Sequence, residues 1–250
     1  MELLEPNLLC FMLVLTRVGA FFFSAPIFSW QSIPTTIKLT LTIFVSAFFA
    51  SVAVNPVLPG SYTALEAGLM IGGEAIYGLA LGLVASYIFG AVRIGAQICE
   101  QEMGLSMANI LDPMTEESGE PLGILMEMIF ILLFLAADGH HVFLMTLSRS
   151  YETFPAGSIP AIDKLTASIA AAGSTMLILG LRMSAPILAA FLLMMVVLAF
   201  LARVAPETNI LFLSLPLKVG MGLVMVGIFF PFIGSFVTEF TQWLNKLIPL

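Results

Sequence analysis

Apolar residues run through this chain in six long blocks, about 8–28, 37–54, 65–92, 122–147, 167–202 and 210–237. Runs of this length predict helices of membrane grade, since a buried strand needs only 4–8 residues and a bilayer span about 20. Helix breakers fall between the blocks: Pro34, Asn55-Pro56 through Pro59-Gly60, Pro113, Pro155 through Pro160, and Pro206. After the last block, 238–250 predicts a short amphipathic helix with Phe240, Trp243, Leu244 and Leu247 on one side. No low-complexity tract, solenoid-period repeat or soluble domain interrupts the pattern. The fold class predicted is all-α and membrane-associated, built of helical hairpins with broken helices.

The blocks are poor conventional spans. Arg17, Glu74, Asp138, Arg182 and Lys218 each fall in the middle of one, and a charge near a bilayer centre costs about 2.5–3.5 kcal/mol on insertion scales. Pro186 and Pro231 interrupt the fifth and sixth blocks, and the fifth is long enough to predict a bend or two shorter helices. Charge asymmetry gives no orientation: with six spans, Arg149, Lys164 and Lys246 fall on one side and Lys38, Arg93 and Arg203 on the other. Either partners set the orientation, or the helices form hairpins inside a larger assembly.

Between the third and fourth blocks, Arg93 to Pro121 is too polar for lipid and too apolar for a free loop. It holds Met103-Gly104-Leu105-Ser106-Met107, then Asp112-Pro113-Met114 and an acidic turn with Glu116, Glu117, Gly119 and Glu120. Non-helical backbone at membrane depth survives only where protein buries it or where it lines a water-filled cavity, so this segment predicts a pore or gate. The third block itself carries Gly78, Gly82, Ser86 and Gly90 at four-residue spacing. Small residues so spaced let helix backbones approach closely, and predict a helix-packing seam.

Composition agrees. The 250 residues are 60% hydrophobic and only 10% charged, against roughly 25% charged in soluble domains. The net charge of −7 comes from nine basic against sixteen acidic residues, which does not suit nucleic acid. Cys10 and Cys99 sit in apolar surroundings and read as small buried hydrophobes, not a disulfide. The start, Met1-Glu2-Leu3-Leu4-Glu5, lacks the basic region of a cleaved signal peptide.

Candidate chemistry is thin. Asp138-Gly139-His140-His141 is the only place where histidine adjoins a carboxylate. It lacks H-E-x-x-H spacing and has no cysteine or third histidine to complete a ligand set. A turn between two helical halves, capped by Asp138, is the reading preferred, with no metal. The string nearest a nucleophile elbow, Gly104-Leu105-Ser106-Met107-Ala108, ends in the wrong residue. No phosphate-binding or dinucleotide motif appears, so an enzyme is excluded and no cofactor is expected. Met103, Met107, Met114, Met126 and Met128 cluster near the odd segment. Flexible thioethers suit a seal around variable polypeptides, and equally serve as apolar filler.

Four strings in order resemble the FliR/SctT family of type III export-gate proteins. They are Arg17-Val-Gly-Ala with Ala25-Pro-Ile-Phe-Ser-Trp; Arg93 through Met103-Gly-Leu-Ser-Met-Ala to Asp112-Pro113; Asp138-Gly-His-His-Val-Phe-Leu with Phe154-Pro; and Ala205-Pro-Glu-Thr-Asn-Ile with Leu215-Pro-Leu-Lys-Val. Where the family often has Gln and Phe in the second string, this chain has Glu102 and Met107.

The resemblance implies a subunit of a helical hetero-oligomeric pore complex in the bacterial inner membrane, within the flagellar basal body. Its partners would be FliP-like and FliQ-like subunits, FlhB-like and FlhA-like components, and unfolded export substrates. It further implies a FliP-like part over 1–166 and a FliQ-like hairpin and tail over 167–250. Met103, Gly104, Met107, Asp112, Pro113, Met114 and Gly119 would belong to the pore plug. Arg17, Glu74, Arg93, Asp138, Arg182 and Lys218 would be charges buried at subunit interfaces. An injectisome gate is the alternative within the family. A small-molecule transporter is the alternative outside it, and the inverted repeats that would mark one are missing.

Overall fold

The computed structural model of the chain describes residues 6–29, 33–52, 62–105, 120–158, 162–207, 209–210 and 212–228. All regular structure among them is helical: α1 (Pro6–Ser24), α2 (Pro26–Ser29), α3 (Thr35–Val52), α4 (Ala64–Met103), α5 (Pro121–Ala136), α6 (Gly139–Thr153), α7 (Ile162–Val204) and α8 (Phe212–Ile228). Helices α4 and α7 are each long and apolar enough to cross a membrane, and α5 with α6 passes the same test as one broken span. The predicted tail helix 238–250 lies outside the described residues, as does Pro231.

Local chemistry explains several ends. Before α4, Thr63 and Glu66 form a capping box: the Thr63 N–H donates to Glu66 Oε2 at 2.7 Å, and the Glu66 N–H to Thr63 Oγ1 at 3.3 Å. This reciprocal pair satisfies two donors that a helix start leaves unpaired. Pro121 opens α5 at a position where a missing N–H costs nothing.

Two elements differ from expectation. Helix α4 continues through Arg93 to Met103, so the first part of the predicted gate segment is regular helix; its Ala, Gln, Glu and Met are good helix formers and nothing before Gly104 stops them. Helix α7 is a single 43-residue element with Pro186 inside it, so of the two alternatives, a bend or two shorter helices, the second is overturned. One proline removes one ladder bond, and a helix this long keeps its remaining bonds on both sides.

The described chain forms two units. One takes the chain up to Ile88 together with Asp138–Ser174, and the other takes Phe89–Ala137 together with the chain from Thr175. In the first unit α1 packs on α3. Its core face, Leu9, Leu13, Val14, Val18 and Phe21, recurs at helical spacing, and Phe21 meets Phe143 of α6 edge-on at 5.8 Å. The core of the second unit centres on Phe89 of α4, set edge-on to Phe130 and Phe134 of α5 at 5.3 and 5.6 Å.

Candidate functional site

Arg17 falls on the buried stripe of α1, so its charge must be met inside the protein. Glu74 of α4 meets it bidentately: Arg17 Nε donates to Oε2 at 2.5 Å and Nη2 to Oε1 at 3.0 Å, and both side chains are fully buried. Arg17 Nη1 also donates to the carbonyls of Ser150 and Phe154, at 3.3 and 2.9 Å, at the end of α6. Those carbonyls lie at the negative end of the helix dipole, where a cation is favoured. Glu74 Oε1 further accepts the N–H of Gly157 at 2.9 Å. Gly157 has φ 86, a left-handed conformation that glycine adopts without steric cost. The rings of Tyr151 and Tyr77 lie 4.2 and 5.2 Å from the guanidinium carbon. The sequence marks Arg17 and Glu74 as charges out of place; Ser150, Phe154, Gly157 and the two tyrosines carry no such mark.

The predicted seam faces specific neighbours. A Cβ on Gly78 would collide with the Arg17 carbonyl and with Ala20, and one on Gly82 would come within 2.5 Å of Ser24 Cβ. These two glycines let α1 lie directly on the α4 backbone. In the second unit, a Cβ on Gly90 would lie 2.9 Å from Met176 Sδ of α7, and one on Gly180 would lie 2.9 Å from the Ala91 carbonyl. Ser86 is partly exposed and bonds its own helix at Leu83. Gly95 and Gly180, outside the four-residue spacing, face each other in this second crossing.

The described residues on either side of 106–119 are fixed by hydrogen bonds. Gly104, φ 77, ends α4 in a Schellman motif, its N–H donating to the Gln101 carbonyl at 3.1 Å and the Leu105 N–H to Glu100 at 3.2 Å. On the far side of the segment, Glu120 and Pro121 return to the same helix. Gln97 Nε2 donates to both Glu120 carboxylate oxygens at 2.8 Å. Glu100 Oε1 accepts the Leu122 N–H at 3.2 Å, so a carboxylate from α4 caps the start of α5. Glu100 Oε2 is buried without a hydrogen-bond partner. The flanks of 106–119 are therefore clasped together, a feature that sequence reasoning missed. Three polar groups close to an otherwise apolar stripe (Gln97, Glu100, Glu120) were the available signal.

Of the predicted plug residues, Met107, Asp112, Pro113, Met114 and Gly119 lie outside the described residues. Met103 is fully buried, its side chain lying across Gly222 of α8. The predicted buried charges divide. Arg17 and Glu74 are buried, and their partners are each other within one chain instead of a neighbouring subunit. Arg93, Asp138 and Arg182 are exposed and Lys218 is partly so in the single chain. Arg93 pairs with Glu127 at 2.6 Å across a half-exposed contact.

Asp138 sits at the N-cap of α6, in the break after α5, but its side chain makes no capping bond. Its φ of 57 is left-handed, and its carboxylate lies 3.4 Å from His141 Nδ1 instead of on the helix start. Cys10 and Cys99 are both buried and unbridged, as expected.

Known proteins resemble this chain over most of its length. Flagellar biosynthetic protein FliR of Escherichia coli is 31% identical over 235 residues, covering 93% of this chain and 89% of that protein. FliR of Bacillus subtilis is 29% identical over 219 residues, 86% of this chain and 84% of its own. Yop proteins translocation protein T of Yersinia pestis is 28% identical over 235 residues, 91% and 88% of the two chains. The family described as bacterial export proteins, family 1, matches residues 8–243, and the chain belongs to it.

Proposed function

We propose that this chain is a core subunit of a flagellar protein export gate in the bacterial inner membrane, forming a gated pore with FliP-like and FliQ-like subunits. The observation that carries the reading is the clasp at the base of 106–119: a helix long enough to span a membrane ends at a fixed glycine. Its last turns then grip the returning chain through Gln97 and Glu100. The described residues on either side of 106–119 are thereby joined to one another.

The role is gating, not chemistry. An unfolded substrate needs a channel that yields to any side chain yet leaks few ions, and Met107 and Met114 supply deformable apolar contacts for such a seal. Met103, buried against Gly222, anchors the root of the segment instead of facing the pore. Exposed apolar side chains along α3 (Ile37, Phe44, Phe48) and α7 (Leu193, Val197, Phe200) support contact with lipid or partner subunits. Arg93, Asp138, Arg182 and Lys218 would then be covered at subunit interfaces. Residues 1–166 would act as the FliP-like part and 167–250 as the FliQ-like part, with FlhB-like and FlhA-like components docking on the assembly.

Deleting Met114–Gly119 tests the gate. Assembly should persist, because the clasp is intact, while single-channel conductance of the purified complex rises. An assembled complex with unchanged leak would put the seal on another subunit. Similarity to the Yersinia translocation protein favours a second reading, an injectisome gate. Gene deletion separates the two: loss of motility supports the flagellar role, and loss of effector secretion with normal motility supports the other.

A further inference from the structure

The break between α5 and α6 brings three metal-grade donors within reach of one another, although their spacing along the chain matches no standard helical metal motif. Asp138, His140 and His141 each offer a ligand atom, and those atoms lie within 4.8 Å of one another. The two imidazoles lie with ring centroids 4.2 Å apart. His141 Nδ1 lies 3.4 Å from Asp138 Oδ1. Two ligands each about 2.0–2.1 Å from a tetrahedral zinc ion stand about 3.3 Å apart, so this pair is already at coordination spacing.

An ordinary surface ion pair accounts for His141 and Asp138 but leaves two observations aside. His140 Nδ1 is buried with no hydrogen-bond partner, a costly state for an imidazole nitrogen. Asp138 is the only non-glycine residue with positive φ among those described. Aspartate adopts this conformation more readily than most non-glycine residues when its side chain bonds locally, yet here the side chain makes no capping bond.

We propose that Asp138, His140 and His141 form a binding site for a divalent transition metal of the zinc class. Two imidazoles and a carboxylate are a borderline donor set, suited to zinc and cobalt and unsuited to magnesium or calcium. The three protein ligands leave a fourth position for water. The Asp138 and His141 side chains are 76% and 64% exposed, so the site exchanges metal with solvent. Bound metal staples Asp138 to the first turn of α6. This assignment is independent of the export reading.

The chain contains only these two histidines, so binding lost on their replacement is assigned to this site. The full-length chain, purified with its partner subunits on a histidine-free tag, is titrated with zinc chloride, and with cobalt chloride for the ligand-field absorption of a four-coordinate site. One equivalent per chain should bind. Asp138→Asn should weaken binding by at least roughly 10–100-fold, the loss seen when even an outer-shell metal partner is removed. The His140→Ala/His141→Ala double variant should abolish it. Absence of saturable binding overturns the proposal, as does binding that the double variant leaves unchanged. Should the double variant fail to fold, zinc protection of the wild-type histidines from carbethoxylation decides: equal modification with and without zinc rejects the site.

Discussion

Arg17 and Glu74 are 57 residues apart in the chain, yet they form a bidentate ion pair with both side chains fully excluded from solvent. The pair joins α1 to α4, and its remaining valences reach the end of α6 and the turn at Gly157. Truncating one partner strands the other, at a cost of roughly 3–5 kcal/mol. Arg17→Leu and Glu74→Leu should each sharply lower the amount of folded chain in membranes. The double variant should recover much of the loss, because no unpaired charge remains. Recovered folding without recovered export would assign the pair a role in transport as well.

The glycines of α4 should divide into two classes. Gly78→Val places atoms into the Arg17 carbonyl, and Gly82→Val into Ser24. Each should destabilise by about 1–3 kcal/mol, the range for overpacking. A Cβ added at Gly68 or Gly72 would meet nothing within 4 Å, and alanine there should be neutral or stabilising by up to about 1 kcal/mol. Thermal unfolding in detergent reads both classes. An assembly defect from Gly68→Ala with normal thermal stability would mark that face as a subunit contact.

Gly104→Val should disturb the end of α4 locally. A β-branched residue at φ 77 costs about 1–2 kcal/mol, and the helix end can relieve it only by breaking the Schellman bonds at Gln101 and Glu100. Hydrogen exchange should quicken at the Gly104 and Leu105 amides while α1 and α6 stay protected. Unchanged protection at those amides would show that the motif does not hold the segment.

The two polar contacts that Gln97 and Arg93 make from α4 should behave unequally. Gln97→Leu removes both bonds to Glu120 in a half-buried site and should raise leak through the assembled complex. Arg93→Ala removes a half-exposed pair with Glu127, worth about 0–1 kcal/mol, and should leave both leak and stability near wild type. Equal effects from the two variants would sink the clasp as the controlling contact.

The all-helical character, the breaks near Pro34 and Asp138, the small-residue spacing on α4 and the family resemblance were all legible in the residues alone. Each is local: hydrophobic period, breaker residues and short motifs are written in neighbouring positions. Two local readings misled. Arg93–Met103 reads as semi-polar, yet it stays helical because its residues favour helix and its polar side chains reach Glu120 and Glu127 sideways. Pro186 reads as a breaker, yet α7 runs through it. Folding in three dimensions was needed to settle which charge answers Arg17, which carboxylate caps α5, and which backbone lies on Gly78 and Gly82. Those pairings join residues that stand apart in the chain, and their energy exists only once burial removes the water that would otherwise satisfy each group alone.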